Sequence, residues 1–156
     1  MNLYTMKKIY TGLVFLFSFL GFGQQLSEAE KKMTELAGIW KTEVQGSPLT
    51  LDISLEKNKG KEYIQISLIN LTGEKFVVSE SKVVSPSGSE FKINILNAGF
   101  EQYKNCKIKD AVINLKRLEN DSVSFSYHSE ITDCSFGNDN GLEIPDIDGL
   151  IFKKEK

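Results

Sequence analysis

From Gly38 onward, the sequence consists mainly of short runs in which apolar and polar residues alternate. The clearest run covers residues 49–56, where Leu49, Leu51, Ile53 and Leu55 alternate with polar residues. A period of two residues places every apolar side chain on the same face of a β-strand. The alternation constrains the fold strongly, because each such strand must cover one side of a core.

Similar runs recur along the rest of the chain at the spacing expected for β-hairpins. Turn residues separate them, for example at Asn58-Lys59-Gly60 and at Ser85-Pro86-Ser87-Gly88. Longer loops are expected over residues 97–105 and 133–148. The pattern predicts eight strands, over residues 38–45, 49–56, 64–68, 76–84, 91–95, 107–118, 122–132 and 149–153.

Short strands at this spacing favour an all-β fold, either an antiparallel up-and-down barrel or a β-sandwich. We prefer the eight-stranded barrel because consecutive hairpins keep the same apolar face and because closure leaves no exposed strand edge. The side chains expected to face inward are mostly bulky, and they fit a filled barrel as well as a hollow one. They are Leu49, Leu51, Ile53, Leu55, Ile64, Ile66, Leu68, Phe76, Phe91, Ile93, Ile95, Ile113, Leu115, Phe125 and Tyr127.

Residues 1–23 have the layout of a secretory signal peptide. Lys7 and Lys8 precede an apolar run over residues 9–22, and Gly21 and Gly23 are small residues at the positions that a signal peptidase reads. An uncleaved anchor is the alternative, but the run is shorter than the ~20 apolar residues that a membrane-spanning helix needs. We therefore expect a protein exported to the periplasm or the extracellular space, from a Gram-negative bacterium, with no stable membrane anchor after cleavage.

The remaining residues, 24–156, are expected to form a single domain. Ser27 and Glu30 have the spacing of a capping box, which predicts a short helix reaching about Leu36. The net charge of −2 provides no strongly basic surface, so nucleic acid is not an expected partner. No zinc pattern, phosphate-binding glycine loop or nucleotide fingerprint occurs in the sequence, and no cofactor is expected.

Both cysteines of the chain, Cys106 and Cys134, lie beyond the leader. If the strands on either side of Glu119-Asn120-Asp121 form a hairpin with a three-residue loop, Cys106 lies opposite Cys134. The same register pairs Ile113 with Tyr127 on the opposite face. In an exported chain this arrangement favours one disulfide bond, and two free thiols are the alternative.

Gly38-Ile39-Trp40, after a short helix and at the start of the first strand, resembles the Gly-x-Trp signature of the lipocalins. The opening of the domain is also similar to that of small lipocalin-like domains exported by bacteria. The resemblance implies an eight-stranded barrel in which Trp40 plugs the closed end. Lipocalins often place an arginine against this tryptophan, whereas the only arginine here is Arg117 in the sixth strand, and the last strand offers Lys153 and Lys154.

Catalysis is not expected from the residues present. His128 is the only histidine, and the alternation places it on the outward face of its strand with Ser126 and Glu130. A nucleophilic relay needs a histidine that is oriented by a carboxylate beside an enclosed nucleophile. The residue types are available, but the pattern indicates no enclosure and no oxyanion site.

The acidic loop over residues 133–148 contains hard oxygen ligands of the kind that calcium prefers. Asp139, Glu143 and Asp146 are the candidate ligands, although the spacing of an EF-hand is absent. A solvated loop rich in turns is the simpler interpretation, and no metal is expected.

Two classes of function remain open. The first is a barrel that binds a small apolar ligand, and the second is an interaction or inhibitor module that contacts a protein partner through loops 97–105 and 133–148. The candidate binding residues are the aromatic side chains of the two loops and one inward-facing tyrosine: Phe100, Tyr103, Phe136 and Tyr127.

Overall fold

A computed structural model of the chain describes residues 26–70, 72–134 and 146–155. The predicted signal peptide lies outside the described residues. One short helix, α1, covers Glu28–Met33 and continues as a 3₁₀ turn over Thr34–Leu36. The strands are β1 Gly38–Val44, β2 Ser47–Asn58, β3 Lys61–Ile69, β4 Lys75–Ser87, β5 Glu90–Phe100, β6 Tyr103–Leu118, β7 Ser122–Cys134 and β8 Ile147–Lys154.

The strands form a closed barrel in which each one is antiparallel to the next in the chain, as the sequence predicts. Closure is made by β1 and β8, where Trp40 is opposite Lys154 and Lys41 is opposite Lys153. The closed barrel excludes the alternative of a β-sandwich.

The predicted hairpin registers are confirmed. Leu51 pairs with Leu68 and Ile53 with Ile66 across β2 and β3, so the apolar face continues from strand to strand. Across β6 and β7, Cys106 is the pairing partner of Cys134. The prediction that Cys106 lies on the face opposite Ile113 and Tyr127 is wrong, because all three are buried in the same core. The alternation of β6 shifts by one residue at Asp110, whose φ is +54°. The disulfide itself stays a prediction, because the side chain of Cys134 lies outside the part of the chain that is described.

The barrel interior is filled with side chains. The buried apolar residues form one continuous cluster from α1 to Phe76 and Tyr127. Most of the predicted inward-facing residues are buried, and Leu49 and Leu68 are partly buried near the end of the barrel where β2 begins. We call this the open end, because among the described residues α1 covers only the other, closed end.

The prediction that Leu55 faces the core is wrong, because its side chain is 47% exposed. Leu55 pairs with Ile64 near the tip of the β2–β3 hairpin. The last pair between β3 and β4 is Ile66 with Val78, so the tip of the β2–β3 hairpin extends beyond the residues of β3 that pair with β4. Alternation alone could not show where the core ends along the strand.

The predicted loop over residues 97–105 is also wrong. β5 continues to Phe100 and β6 begins at Tyr103, which leaves a turn of Glu101 and Gln102. A β-bulge near Gly99 shifts the register between the Ala98–Ile108 and Phe100–Tyr103 pairs. A Cβ atom on residue 99 would lie 2.5 Å from the carbonyl oxygen of Cys106, so only glycine allows this close approach of the strands.

Candidate functional site

The closed end of the barrel is occupied by packed side chains. Met33 and Leu36 from the helical segment are fully buried beneath it, and Trp40 is 3% exposed. The Trp40 indole Nε1–H donates a hydrogen bond of 2.9 Å to the carbonyl oxygen of Leu36. The indole is therefore both buried and hydrogen-bonded at this end of the barrel.

Lys154 from the last strand lies against Trp40. Its Nζ is 5.2 Å from the centre of the Trp40 ring, a cation–π contact. Gly38 has a φ of +134°, and a Cβ there would meet the Lys154 side chain at 3.3 Å. The positive φ therefore favours glycine at this position of the Gly38-Ile39-Trp40 motif. Arg117 instead contacts Glu35, with 3.1 Å between Nη1 and Oε2.

The open end contains a small apolar cavity of about 110 Å³. Its floor and walls come from six different strands, which the barrel brings together around one opening. The polar side chains of Asn70 and Glu74 lie at its edge, between β3 and β4. The apolar lining consists of Leu49, Leu68, Phe76, Phe100, Tyr127 and Ile147.

Aromatic rings run in a continuous chain along one side of this cavity. Phe76 packs edge-to-face with both Phe100 and Tyr127, with ring centres 5.6 and 5.9 Å apart. Phe100 in turn packs against Tyr103 at 6.0 Å. Such contacts stabilise by about 0.5–1.5 kcal/mol beyond simple burial. They also hold the ring faces in fixed positions around the opening.

Tyr127 carries the one unsatisfied buried side-chain polar atom found in the described ranges. The residue is 2% exposed, and its hydroxyl has no hydrogen-bond partner there. Burial raises the pKa of the phenol, the Ser129 side chain, which lies near but outside hydrogen-bond geometry, lowers it, and the Asp146 carboxylate raises it. The neutral phenol can both donate and accept a hydrogen bond.

Glu74 is fixed by hydrogen bonds at the edge of the cavity. Its Oε1 accepts from the Tyr103 hydroxyl at 2.6 Å and its Oε2 from the Asn70 amide at 2.7 Å. Asn70 is itself held, because its Oδ1 accepts from the backbone N–H groups of Thr72 and Glu74. The hydrogen bond from Tyr103 is the main cause that lowers the pKa of Glu74, and the hydrogen bond from Asn70 is the next. The hydrogen bond between Tyr103 and Glu74 also raises the pKa of Tyr103.

His128 is exposed on the outward face, as predicted, and its Nδ1 lies 2.6 Å from Oδ2 of Asp146. The Ser126 hydroxyl accepts from the backbone N–H of Gly149 rather than contacting the histidine. The side chain of Glu130 lies outside the described part. The exposed His128–Asp146 pair has no enclosing wall among the residues described, and it forms no nucleophilic relay with Ser126 there.

Of the predicted binding residues, the barrel brings Phe100, Tyr103 and Tyr127 together at the open end. Phe136, and the calcium candidates Asp139 and Glu143, lie outside the described residues. Asp146, the third calcium candidate, contacts His128. Over the described ranges, no group of three or more acidic, histidine or cysteine side chains could hold a metal ion.

Sequence reasoning missed Asn70 and Glu74. Asn70-Leu71-Thr72-Gly73-Glu74 reads as an ordinary turn, and nothing in it indicates that the carboxylate meets an aromatic residue from β6. In the structure, Gln102 of the short β5–β6 connection donates a hydrogen bond to the backbone of this turn, at Gly73. A sequence prediction of that short connection would have placed the turn beside β6. The incorrect prediction of a long loop there concealed it.

A larger groove of about 840 Å³ lies where β3 and β4 separate beyond the Ile66–Val78 pair. It is open, and its walls contain many charged side chains of both signs, among them Glu30, Lys61 and Lys82. The open-end cavity has the more specific chemistry, because it combines an apolar lining with a buried polar atom.

No protein-family model matches the chain, and neither a curated protein nor a solved structure matches it. Among the helices of the described residues, none has the length and hydrophobicity that crossing a bilayer requires. Function is therefore inferred from the geometry of the site.

Proposed function

We propose that the protein is an exported, lipocalin-like binding protein that holds a small, mostly apolar ligand in the cavity at the open end of its barrel. The observation that carries this proposal is the unpartnered hydroxyl of Tyr127, which is buried beside an otherwise apolar cavity. A buried polar group without a partner is unfavourable by about 1–3 kcal/mol. A ligand with one polar atom would remove that penalty.

The size of the cavity limits the ligand. Sites for drug-sized molecules have volumes of roughly 300–1,000 Å³, and a dry engineered cavity of about 150 Å³ holds benzene. At about 110 Å³, the cavity fits a branched alkyl group or a small ring, with the rest of the ligand at the opening. The filled interior argues against a long lipid chain within the barrel.

Lipocalin-like ancestry is part of the proposal and is supported by the closed end. Trp40 is the plug, and Lys154 from the last strand contacts its ring where lipocalins often use an arginine. Export through cleavage of residues 1–23 is the other part, and a Cys106–Cys134 disulfide would suit the oxidising compartment that export implies. No catalysis is proposed.

The alternative, a module that binds a protein through loops, has lost one of its two candidate loops, because residues 97–105 form strand and a two-residue turn. Its other loop, which follows Cys134, lies mostly outside the described residues. No contact in the described structure favours this alternative over the cavity.

A titration followed by two-dimensional NMR tests the proposal, with 3-methylbutan-1-ol as the probe. We expect saturable shifts of the signals of Phe76, Phe100 and Tyr127 at the open end. The indole signal of Trp40, at the other end, should not move. Saturable binding of palmitate at the same signals, without binding of the alcohol, would contradict the proposed ligand size.

A pair of matched variants locates the binding site. Leu68→Phe adds volume at the cavity wall and should weaken binding of the alcohol by at least about tenfold, equivalent to about 1.4 kcal/mol. Leu55→Phe makes the same substitution at an exposed position near the closed end and should leave binding unchanged. Equal affinities in both variants would place the ligand elsewhere. An unchanged Trp40 indole signal shows that each variant is folded.

A further inference from the structure

We infer that the ligand is a small organic ammonium ion, whose apolar substituent enters the open-end cavity while its charged group meets the Glu74 carboxylate. This inference rests on the proposed function and names the chemical class of the ligand. It depends on three features of the cavity: an ordered carboxylate, aromatic faces, and the hydroxyl of Tyr127.

Glu74 presents negative charge at the cavity without a cationic partner among the described residues. Lys75 and Glu101, near the same edge, pair with each other at 3.1 Å, and His128 pairs with Asp146. Hydrogen bonds from Tyr103 and Asn70 hold the Glu74 carboxylate in one orientation. A carboxylate has about four acceptor positions, so two donors leave capacity for a further N–H group.

The aromatic side chains favour a cation at the same place. The faces of aromatic rings attract ammonium groups within about 6 Å, and Phe76, Phe100 and Tyr103 form a chain beside Glu74. An anionic ligand would meet the Glu74 charge directly and would be repelled. A neutral alcohol could hydrogen-bond to Tyr127 or to Glu74, but it would lack the attraction between opposite charges.

Tyr127 gives the ammonium ion a second acceptor. Its hydroxyl is buried and unpartnered, and its lone pairs can accept from an ammonium N–H as readily as its proton can donate. The small volume restricts the apolar substituent to about the size of a branched five-carbon chain. A free amine and the lysine side chain of a protein both offer an alkylammonium group.

The test compares ligands of similar shape and different charge by NMR titration of the purified protein. The probes are 3-methylbutylammonium, the neutral 3-methylbutan-1-ol and the anion 4-methylpentanoate. We expect the ammonium ion to bind about tenfold more tightly than the alcohol and the anion to bind most weakly. If the alcohol binds as tightly as the ammonium ion, the inference fails while the proposed function stands. If none of the probes binds, the proposed function fails.

Variants then assign the preference to Glu74. Glu74→Gln keeps an oxygen that can accept from Tyr103 and removes the charge, so affinity for the ammonium ion should fall about tenfold while that for the alcohol stays within about twofold. Glu43→Gln, an exposed residue of β1 that forms no ion pair among the described residues, is the matched control and should change neither. Equal loss for both probes in Glu74→Gln would overturn the inference. Because the probe comparison uses the unmodified chain, it remains decisive if a variant does not fold.

One further probe distinguishes the two sources of an alkylammonium group. N-acetyl-lysine N-methylamide carries the lysine side chain within a peptide-like backbone. Binding equal to that of 3-methylbutylammonium would support a lysine of a protein partner, and much weaker binding would support a free amine. Both outcomes support recognition of an ammonium ion.

Discussion

Replacing Tyr127 by phenylalanine should make the ligand-free protein more stable. The substitution removes the one hydroxyl that is buried without a partner among the described residues, and it keeps the ring that packs against Phe76. An unsatisfied buried polar group costs about 1–3 kcal/mol, so we expect the free energy of unfolding to rise by about 1 kcal/mol or more. For a domain of this size, that corresponds to a rise of roughly 3–5 °C in Tm per kcal/mol.

Urea denaturation followed by circular dichroism, without reductant, measures this change. Tyr63→Phe is the matched control, because Tyr63 is half-buried and is expected to change stability by no more than about 0.5 kcal/mol. A loss of stability in Tyr127→Phe would mean that the hydroxyl has a favourable partner, and the reasoning about a ligand at this site would then be refuted.

The stabilising effect of the Tyr127 substitution should grow at alkaline pH. Burial raises the pKa of Tyr127 in the folded protein above the value of about 10 that a tyrosine has in an unfolded chain. Folding therefore favours the neutral phenol over the ionised phenolate. The stability of the folded protein is unaffected by this ionisation below about pH 10, and it falls as the pH rises through the folded-state pKa of Tyr127. Above pH 10 the original chain should lose stability faster than Tyr127→Phe does.

Three further results are expected. Reduction of the Cys106–Cys134 disulfide should add two hydrogens, which mass spectrometry detects. The disulfide should raise the free energy of unfolding by roughly 3–4 kcal/mol in the chain-entropy model. Thiols that alkylate without reductant would contradict it. Gly99→Ala should lower stability in urea by about 1–3 kcal/mol, because the new methyl group would overlap the Cys106 carbonyl; unchanged stability would mean that the bulge relaxes. Lys154→Gln should lower stability by about 0.5–1 kcal/mol through the lost contact with Trp40, and no difference would show that the contact contributes nothing.

The sequence predicted the strands and most of their pairing because a period of two residues and a short turn together fix which side chains face inward. The β2–β3 and β6–β7 hairpins follow the predicted registers, including the Cys106–Cys134 pair. The end of the core was harder to predict. Leu55 continues the alternation, but its exposure depends on how far along the strands β3 pairs with β4. The local sequence pattern does not show where that pairing ends.

The β5–β6 connection shows how a local signal can mislead. Residues 97–105 contain Asn97, Gly99 and Asn105, which commonly occur in loops, yet most of them belong to strands. Gly99 lies in a β-bulge where the backbone of β6 approaches closely, so its lack of a side chain serves strand packing rather than a turn. Close approach of this kind depends on the neighbouring strand, so the glycine alone does not distinguish it from a turn.

The two ends of the barrel differ in how their polar groups are satisfied, and this difference is the strongest reason to look for function at the open end. At the closed end, the polar atom of Trp40 donates to a backbone carbonyl, and the nearby cation of Lys154 contacts the indole ring. At the open end, the hydroxyl of Tyr127 is equally buried and has no partner in the described ranges. Folding alone favours the first arrangement and is opposed by the second. A ligand that reaches the cavity would supply the missing partner, and the position of Glu74 favours one that carries a positive charge.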